Sequence, residues 1–314
     1  FDAAEGDGVA AAIVAEDLQK LSASLGALID FCQGDSQRPL PPYIICQDFD
    51  RDAQGKIAFL FPGQGAQYPD MAREAAMYLP EVRKAIEVAD SQLRDSYARR
   101  LSDFIYPPSA FSDEDSSRQL EQLTHTHIAQ PSIGAVSSGF LDFARRLGIQ
   151  PDMTAGHSYG EYTALYSAGV VSREDFLMLS ETRGRVMAQA QASDDDAGTM
   201  AAIHLAREQV EARLAKYDGV VIANHNAPQQ TVISGVTAAV KQLVEDFERD
   251  EIIARLLPVS GAYHSELMAS AQEPLAKAIR KVKAARPSLP VYGNSTAAPY
   301  ENKITSIRDQ LSNH

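Results

Sequence analysis

The chain has 314 residues, 45% of them apolar, enough to bury a large core, and its length suits two domains or one large domain carrying an inserted one. No run reaches the roughly 18 consecutive apolar residues of a membrane span, and no basic segment followed by an apolar run opens the chain, so neither a span nor a signal peptide is expected and the cytoplasm is the expected compartment. A net charge of -13 argues against a nucleic-acid-binding role, since phosphate affinity comes from lysine and arginine, yet one arginine in a cleft of low dielectric still binds an anion.

The first residue is Phe1 rather than methionine, which suggests a piece excised from a longer polypeptide. Residues 9–32 carry apolar positions at helical spacing, and residues 35–42 are polar and proline-rich, so the first 55 residues read as a helix and a linker without a core of their own. Cys32 and Cys46 are too few for a disulfide framework or a cysteine-based metal site, and each reads as a small apolar filler.

Ile57-Ala58-Phe59-Leu60-Phe61 is a continuous apolar run, the pattern of a strand buried on both faces, and it ends in Pro62-Gly63-Gln64-Gly65-Ala66-Gln67. That loop lacks the lysine and spacing of a phosphate-binding loop. Its glycines suit a backbone N–H, most naturally that of Gln64, brought close to another site as an oxyanion donor. Residues 71–101 are helical in pattern, residues 112–117 read as an acidic surface loop, and Gln130-Pro131 reads as the opening of a helix over residues 132–147.

The next stretch organises the chain. Gly156-His157-Ser158-Tyr159-Gly160 has the spacing that sets a serine on a sharp turn between a buried strand, here residues 153–155, and a helix, here residues 161–168, with Gly169 as its C-terminal stop. Ser172 starts another helix running to about residue 191, which places Arg183 where it can point back at the turn. After a polar break at residues 193–198, the order of elements to residue 257 is βαββαβ, a ferredoxin-like module, with Asn224-His225-Asn226-Ala227-Pro228-Gln229 as the hairpin loop between its middle strands. Of the seven histidines, His264 has the best setting for a base, where Gly261-Ala262-Tyr263 leads into a helix. Pro290-Val291-Tyr292-Gly293-Asn294-Ser295 reads as a strand with a polar tip.

These motifs, in order, resemble one family. FPGQGAQ, QPS, GHSYGEYTAL, ETRGR, NHNAPQQTVISG, GAYHSELM and PVYGNSTA together are similar to malonyl-CoA:acyl-carrier-protein transacylases and to the acyltransferase domains of polyketide and polyunsaturated-fatty-acid megasynthases, over about residues 56–314. The resemblance implies an α/β-hydrolase-like large subdomain in two parts, residues 56–192 and 258–314, with the ferredoxin-like subdomain, residues 193–257, inserted. It implies a Ser158–His264 dyad in which a backbone carbonyl, from the Asn294 region, orients the histidine. It also implies an oxyanion hole from the Gln64 and Tyr159 backbone N–H groups, and Arg183 as the partner of the free carboxylate of a malonyl unit. Gln130 and His157 would line the acyl pocket, Asn224 and Asn226 the pantetheine entrance, and the Tyr263 ring would crowd out a methyl branch. No cofactor or metal is implied. Coenzyme A thioesters, an acyl carrier protein with its phosphopantetheine thiol, and neighbouring megasynthase domains are the implied partners. The family continues past the helix ending near Leu311, so the large subdomain is expected to be incomplete at its C-terminus. A serine esterase and an inactive docking domain are the competing readings. The esterase has no use for Arg183, and the docking domain has no use for Ser158, His264 and Arg183 together.

Overall fold

A computed structural model describes residues 8–34, 39–49, 55–192, 196–259 and 261–313, which divide into two compact units at Lys56/Ile57. In the first, β1 (Gly8–Ile13) and β2 (Ile44–Phe49) pair antiparallel, with α1 (Leu18–Gln33) between them in sequence. The helix expected over residues 9–32 therefore begins nine residues later, after a strand. Asp17 accepts from the Lys20 N–H and caps the helix, and Gly34, at φ +80°, closes it. Parts of the linker expected at residues 35–42 and of the break at 193–198 lie outside the described residues.

The second unit is built around three parallel strands in the order β3–β4–β9: β3 (Ala58–Phe61), β4 (Met153–Gly156) and β9 (Val291–Tyr292). Between β3 and β4 come α2 (Arg73–Tyr78), α3 (Pro80–Gln92), α4 (Ser102–Ile105), α5 (Asp113–Thr124) and α6 (Thr126–Arg146). The acidic run at 112–117 is the start of α5 and not a loop. Ser112 accepts the Asp115 N–H, and three acidic residues stand in the first turn, where the helix dipole favours negative charge. Likewise Gln130 and Pro131 do not open a helix; they lie inside α6, which starts five residues before Pro131. Proline cannot donate to the carbonyl four residues back, that of His127, and the Tyr97 hydroxyl donates to it instead at 2.7 Å.

After β4 come α7 (Gly160–Ser167) and α8 (Arg173–Ala192). The small subdomain follows: β5 (Thr199–Ile203), α9 (Arg207–Leu214), β6 (Val220–Ala227), β7 (Gln230–Gly235), α10 (Thr237–Arg249) and β8 (Ala254–Leu256). Its antiparallel sheet runs β6–β7–β5–β8, the ferredoxin-like order, over a core of its own that includes Ile203, Val210, Ile233, Leu243 and Phe247. The chain then returns through α11 (Ala269–Lys281) to β9 and α12 (Ile304–Asn313). The fold is thus the expected α/β one, a parallel-sheet large subdomain with an inserted ferredoxin-like module.

Helix α6 is the hub, since α3 and α8 both pack on it. The α8 crossing depends on Gly184. A Cβ there would lie 2.6 Å from the Thr126 carbonyl oxygen and 2.7 Å from the His127 Cα, both backbone atoms that cannot turn aside. Gly184→Ala should therefore push the helices apart and destabilise the protein by about 1–3 kcal/mol, read as a lowered urea midpoint at unchanged slope.

Candidate active site

The elbow forms because three backbones touch at glycines. A Cβ on Gly156 would lie 2.0 Å from the Gly160 carbonyl, one on Gly160 2.2 Å from the Phe61 oxygen, and one on Gly63 2.2 Å from the His157 oxygen. Ser158, between them, takes φ +49°, a left-handed conformation that a non-glycine residue adopts only where its surroundings impose it. Its Oγ lies 3.1 Å from His264 Nε2. His264 is itself left-handed, at φ +60°. Both members of the dyad are thus held in sparsely populated backbone conformations.

The elbow is braced by Asn294, just past β9, whose Oδ1 accepts the Ser158 N–H at 3.1 Å and whose Nδ2 donates to the Gly156 carbonyl at 2.7 Å. Beyond the carbonyl that the sequence suggests this segment offers His264, its side chain ties the turn to the third strand. The Gly63–His157 contact carries Gln64 to the elbow, and neither the Gln64 nor the Tyr159 backbone N–H is spent on another group among the described residues.

Arg183 is 1% exposed and lies on the same cavity as His264 and His157, a space of about 970 Å³. Its position follows from α8: the Tyr159 phenol, buried beside Gly134 of α6, meets Ser180 Oγ at 2.7 Å, one turn before Arg183. Its guanidinium sits 5.5 Å from the Tyr162 ring centre, its Nε has no hydrogen-bond partner, and among the described residues no carboxylate makes an ion pair with it. A buried cation that makes no direct ion pair is costly, and an anion bound beside it would relieve that cost.

Asn224 and Asn226, expected in a hairpin loop over residues 224–229, stand in β6 itself, which runs on to Ala227 and leaves only a short turn. They face the same cavity, and Asn226 Oδ1 lies 2.9 Å from His157 Nε2, so this pair bridges the two subdomains across the opening. His157 stands exposed and lines the cavity at its rim. Gln130 is fully buried and is not part of the wall. It stands behind Met187, donating to Gln64 Oε1 at 3.2 Å, with Nε2 3.6 Å from Met187 Sδ. The Tyr263 hydroxyl lies 2.6 Å from Thr126 Oγ1 and accepts from Gln64 Nε2 at 3.2 Å, which pins the ring at the start of α6. Thr126 and Glu161 are the site residues that the sequence did not point to, and for Asn294 it did not point to the side chain; of these only Glu161, an acid in the turn right after the serine, gave a signal. Among the described residues no cluster of three or more His, Cys, Asp or Glu is placed to hold a metal ion, and no helix is long and apolar enough to cross a membrane.

A serine paired with a histidine, and a buried guanidinium on the cavity which that histidine lines, are the parts of a transacylase site, and the comparisons agree. The acyl transferase domain model matches residues 58–308. The chain belongs to that family. It is 36% identical over 263 residues to a malonyl CoA-acyl carrier protein transacylase of Bacillus subtilis (strain 168), covering 82% of this chain and 77% of the relative. It is 30% identical over 268 residues to a polyunsaturated fatty acid synthase polypeptide of a Thraustochytrium species, covering 83% of this chain but 9% of that much longer protein. The acyltransferase domain from the second module of the salinomycin polyketide synthase superposes with a TM-score of 0.79 at 27% identity, over 97% of this chain and 66% of that one.

Burial, the Arg183 charge and His157 together depress the His264 pKa to about 4. The base is neutral, hence able to take a proton, above that value and is lost only below it. The rate of Ser158 labelling by an organophosphonate should accordingly stay nearly level from about pH 7 to pH 5, where an unperturbed histidine would already have lost most of its activity. Arg183→Met should move the acid limb to higher pH.

Proposed function

We propose that this acyltransferase moves a malonyl group from coenzyme A to the phosphopantetheine thiol of an acyl carrier protein, as one domain of a cytoplasmic polyketide or fatty-acid megasynthase. The observation that carries the reading is Arg183, a buried guanidinium with no ion-pair partner among the described residues, on the cavity lined by His264, whose Nε2 lies 3.1 Å from Ser158 Oγ. A simple fatty acyl group would leave that charge unpaired; a malonyl carboxylate answers it with two parallel hydrogen bonds.

In the first half-reaction Ser158 Oγ attacks the thioester carbonyl while its proton passes to His264 Nε2. The oxyanion forms against the Gln64 and Tyr159 N–H groups, a contribution of about 3 kcal/mol per donor in comparable sites. Collapse breaks the C–S bond, and the departing coenzyme A sulfur takes the proton from His264. The second half-reaction runs the same steps in reverse with the carrier thiol, which gives its proton to His264 as it attacks the acyl-serine. Thioester exchange is nearly balanced in energy, so positioning and charge stabilisation suffice and the reading needs no cofactor.

Incubation with malonyl-CoA should add one malonyl mass to the intact protein. The adduct should be absent in Ser158→Ala, and in Arg183→Ala it should be lost or replaced by acetyl when acetyl-CoA is supplied. A folded sample that takes no acyl group would return the reading to an inactive docking domain. Competition between malonyl-CoA and methylmalonyl-CoA tests Tyr263: replacing it with serine should shift the loading ratio towards methylmalonyl by about 10- to 100-fold, the value of one methyl group in a filled pocket.

A further inference from the structure

Glu161, 1% exposed, takes no part in the chemistry above. It stands in the first turn of α7, three residues past Ser158 (161 − 158 = 3), and faces the segment that follows β9. Its Oε1 accepts from the Tyr300 hydroxyl, and its Oε2 accepts from the Asn294 Nδ2 and, at 3.1 Å, from the Asn294 backbone N–H. Neither Asn294 group can accept a hydrogen bond, so Oε2 must offer lone pairs to both, which a carboxylate does. Burial pushes the Glu161 carboxyl up from its ordinary range, while the donors from Tyr300 and Asn294 and the nearby Arg183 charge pull it back.

The carboxylate decides which way the Asn294 amide points. With Nδ2 drawn to Glu161 and to the Gly156 carbonyl, Oδ1 is left facing the Ser158 N–H. The flipped amide would set NH₂ against an N–H and an oxygen against a carboxylate, two repulsive contacts in place of attractive ones. Asn294 therefore holds the turn on both sides of His157, at the residue before it and the residue after, where the backbone goes left-handed.

We propose that Glu161 and Asn294 are positioning residues for the nucleophile: the buried carboxylate orients the asparagine amide, and the amide fixes the Ser158 backbone so that Oγ meets His264. The inference rests on Ser158 being the residue that is acylated. Glu161→Gln and Asn294→Ala should each slow single-turnover loading of Ser158 by about 10- to 100-fold, the scale of a reacting atom displaced by up to an ångström, with KM for malonyl-CoA not raised. Asn294→Asp, which sets two carboxylates face to face, should load more slowly still. Adding Glu161→Gln to Asn294→Asp should raise loading about tenfold above Asn294→Asp alone, because the amide introduced at position 161 then donates to the acid at 294.

A purely structural role would lower thermal stability in step with rate and would show no such rescue. The inference is overturned if Glu161→Gln loads at the wild-type rate, if its defect is a raised KM or a lowered melting temperature alone, or if the double variant is no faster than Asn294→Asp. Wild-type protein that takes no malonyl overturns the transacylase reading instead. In that case the same variants are ranked by organophosphonate labelling of Ser158, which reads the nucleophile whatever its natural acyl donor.

Discussion

Everything at this site depends on how closely three backbones approach at the end of β4. Gly156, Gly160 and Gly63 each stand where a side chain would overlap a neighbouring main chain, and the space they give up lets helix α7 begin directly on the sheet edge with the serine turned outward. The contact fixes position, but it leaves Ser158 in a backbone conformation that sterics disfavour, at a cost of order 1 kcal/mol or more. That cost is met by neighbours: Asn294, just past β9, on the turn, with Glu161 of α7 and Tyr300 behind it. His264, left-handed as well, approaches from a different segment, so the dyad joins two strained points that only the folded large subdomain brings together.

Electrostatics then separates this cavity from that of a simple hydrolase. Burial first, and then a guanidinium in the wall, lower the affinity of His264 for a proton, so the base stays uncharged well below neutrality. The same guanidinium has no ion-pair partner among the described residues. When an anion binds there, its charge screens Arg183 from His264 and raises the histidine's proton affinity at the moment a proton must be taken from Ser158. Arg183 and His264 are thus coupled electrostatically across the cavity wall.

A strand at 58–61, the turn at Ser158, Arg183 in the following helix and the βαββαβ order of the insert were all legible in the sequence, because each rests on local signals: an apolar run, glycine spacing, helical periodicity. The burial of that strand on both faces was not borne out: β3 is an edge strand with Leu60 76% exposed and only Phe61 buried. What misled were residues whose meaning depends on distant partners. Pro131 reads as a helix start until Tyr97 is seen to satisfy the carbonyl it leaves open. The acidic run after Ser112 reads as solvated loop unless the capping serine and the helix dipole are weighed first. Residues 8–13 share apolar character with the helix that follows, and only pairing with β2 shows them extended. Asn294 lies 136 positions from Ser158 (294 − 158), too far for spacing to suggest that its side chain meets the elbow.

The small subdomain has its own hydrophobic centre, separate from the one that holds the dyad, yet its hairpin supplies part of the cavity wall and the asparagine that meets His157. The catalytic groups and that stretch of wall are therefore inherited as separable parts. Sequence drift within residues 196–257 can remodel the surface an incoming thioester meets while Ser158, His264 and Arg183 keep their places. A scaffold divided in this way lets one chemistry diversify across many assembly lines, with recognition evolving on a part that the reaction itself does not strain.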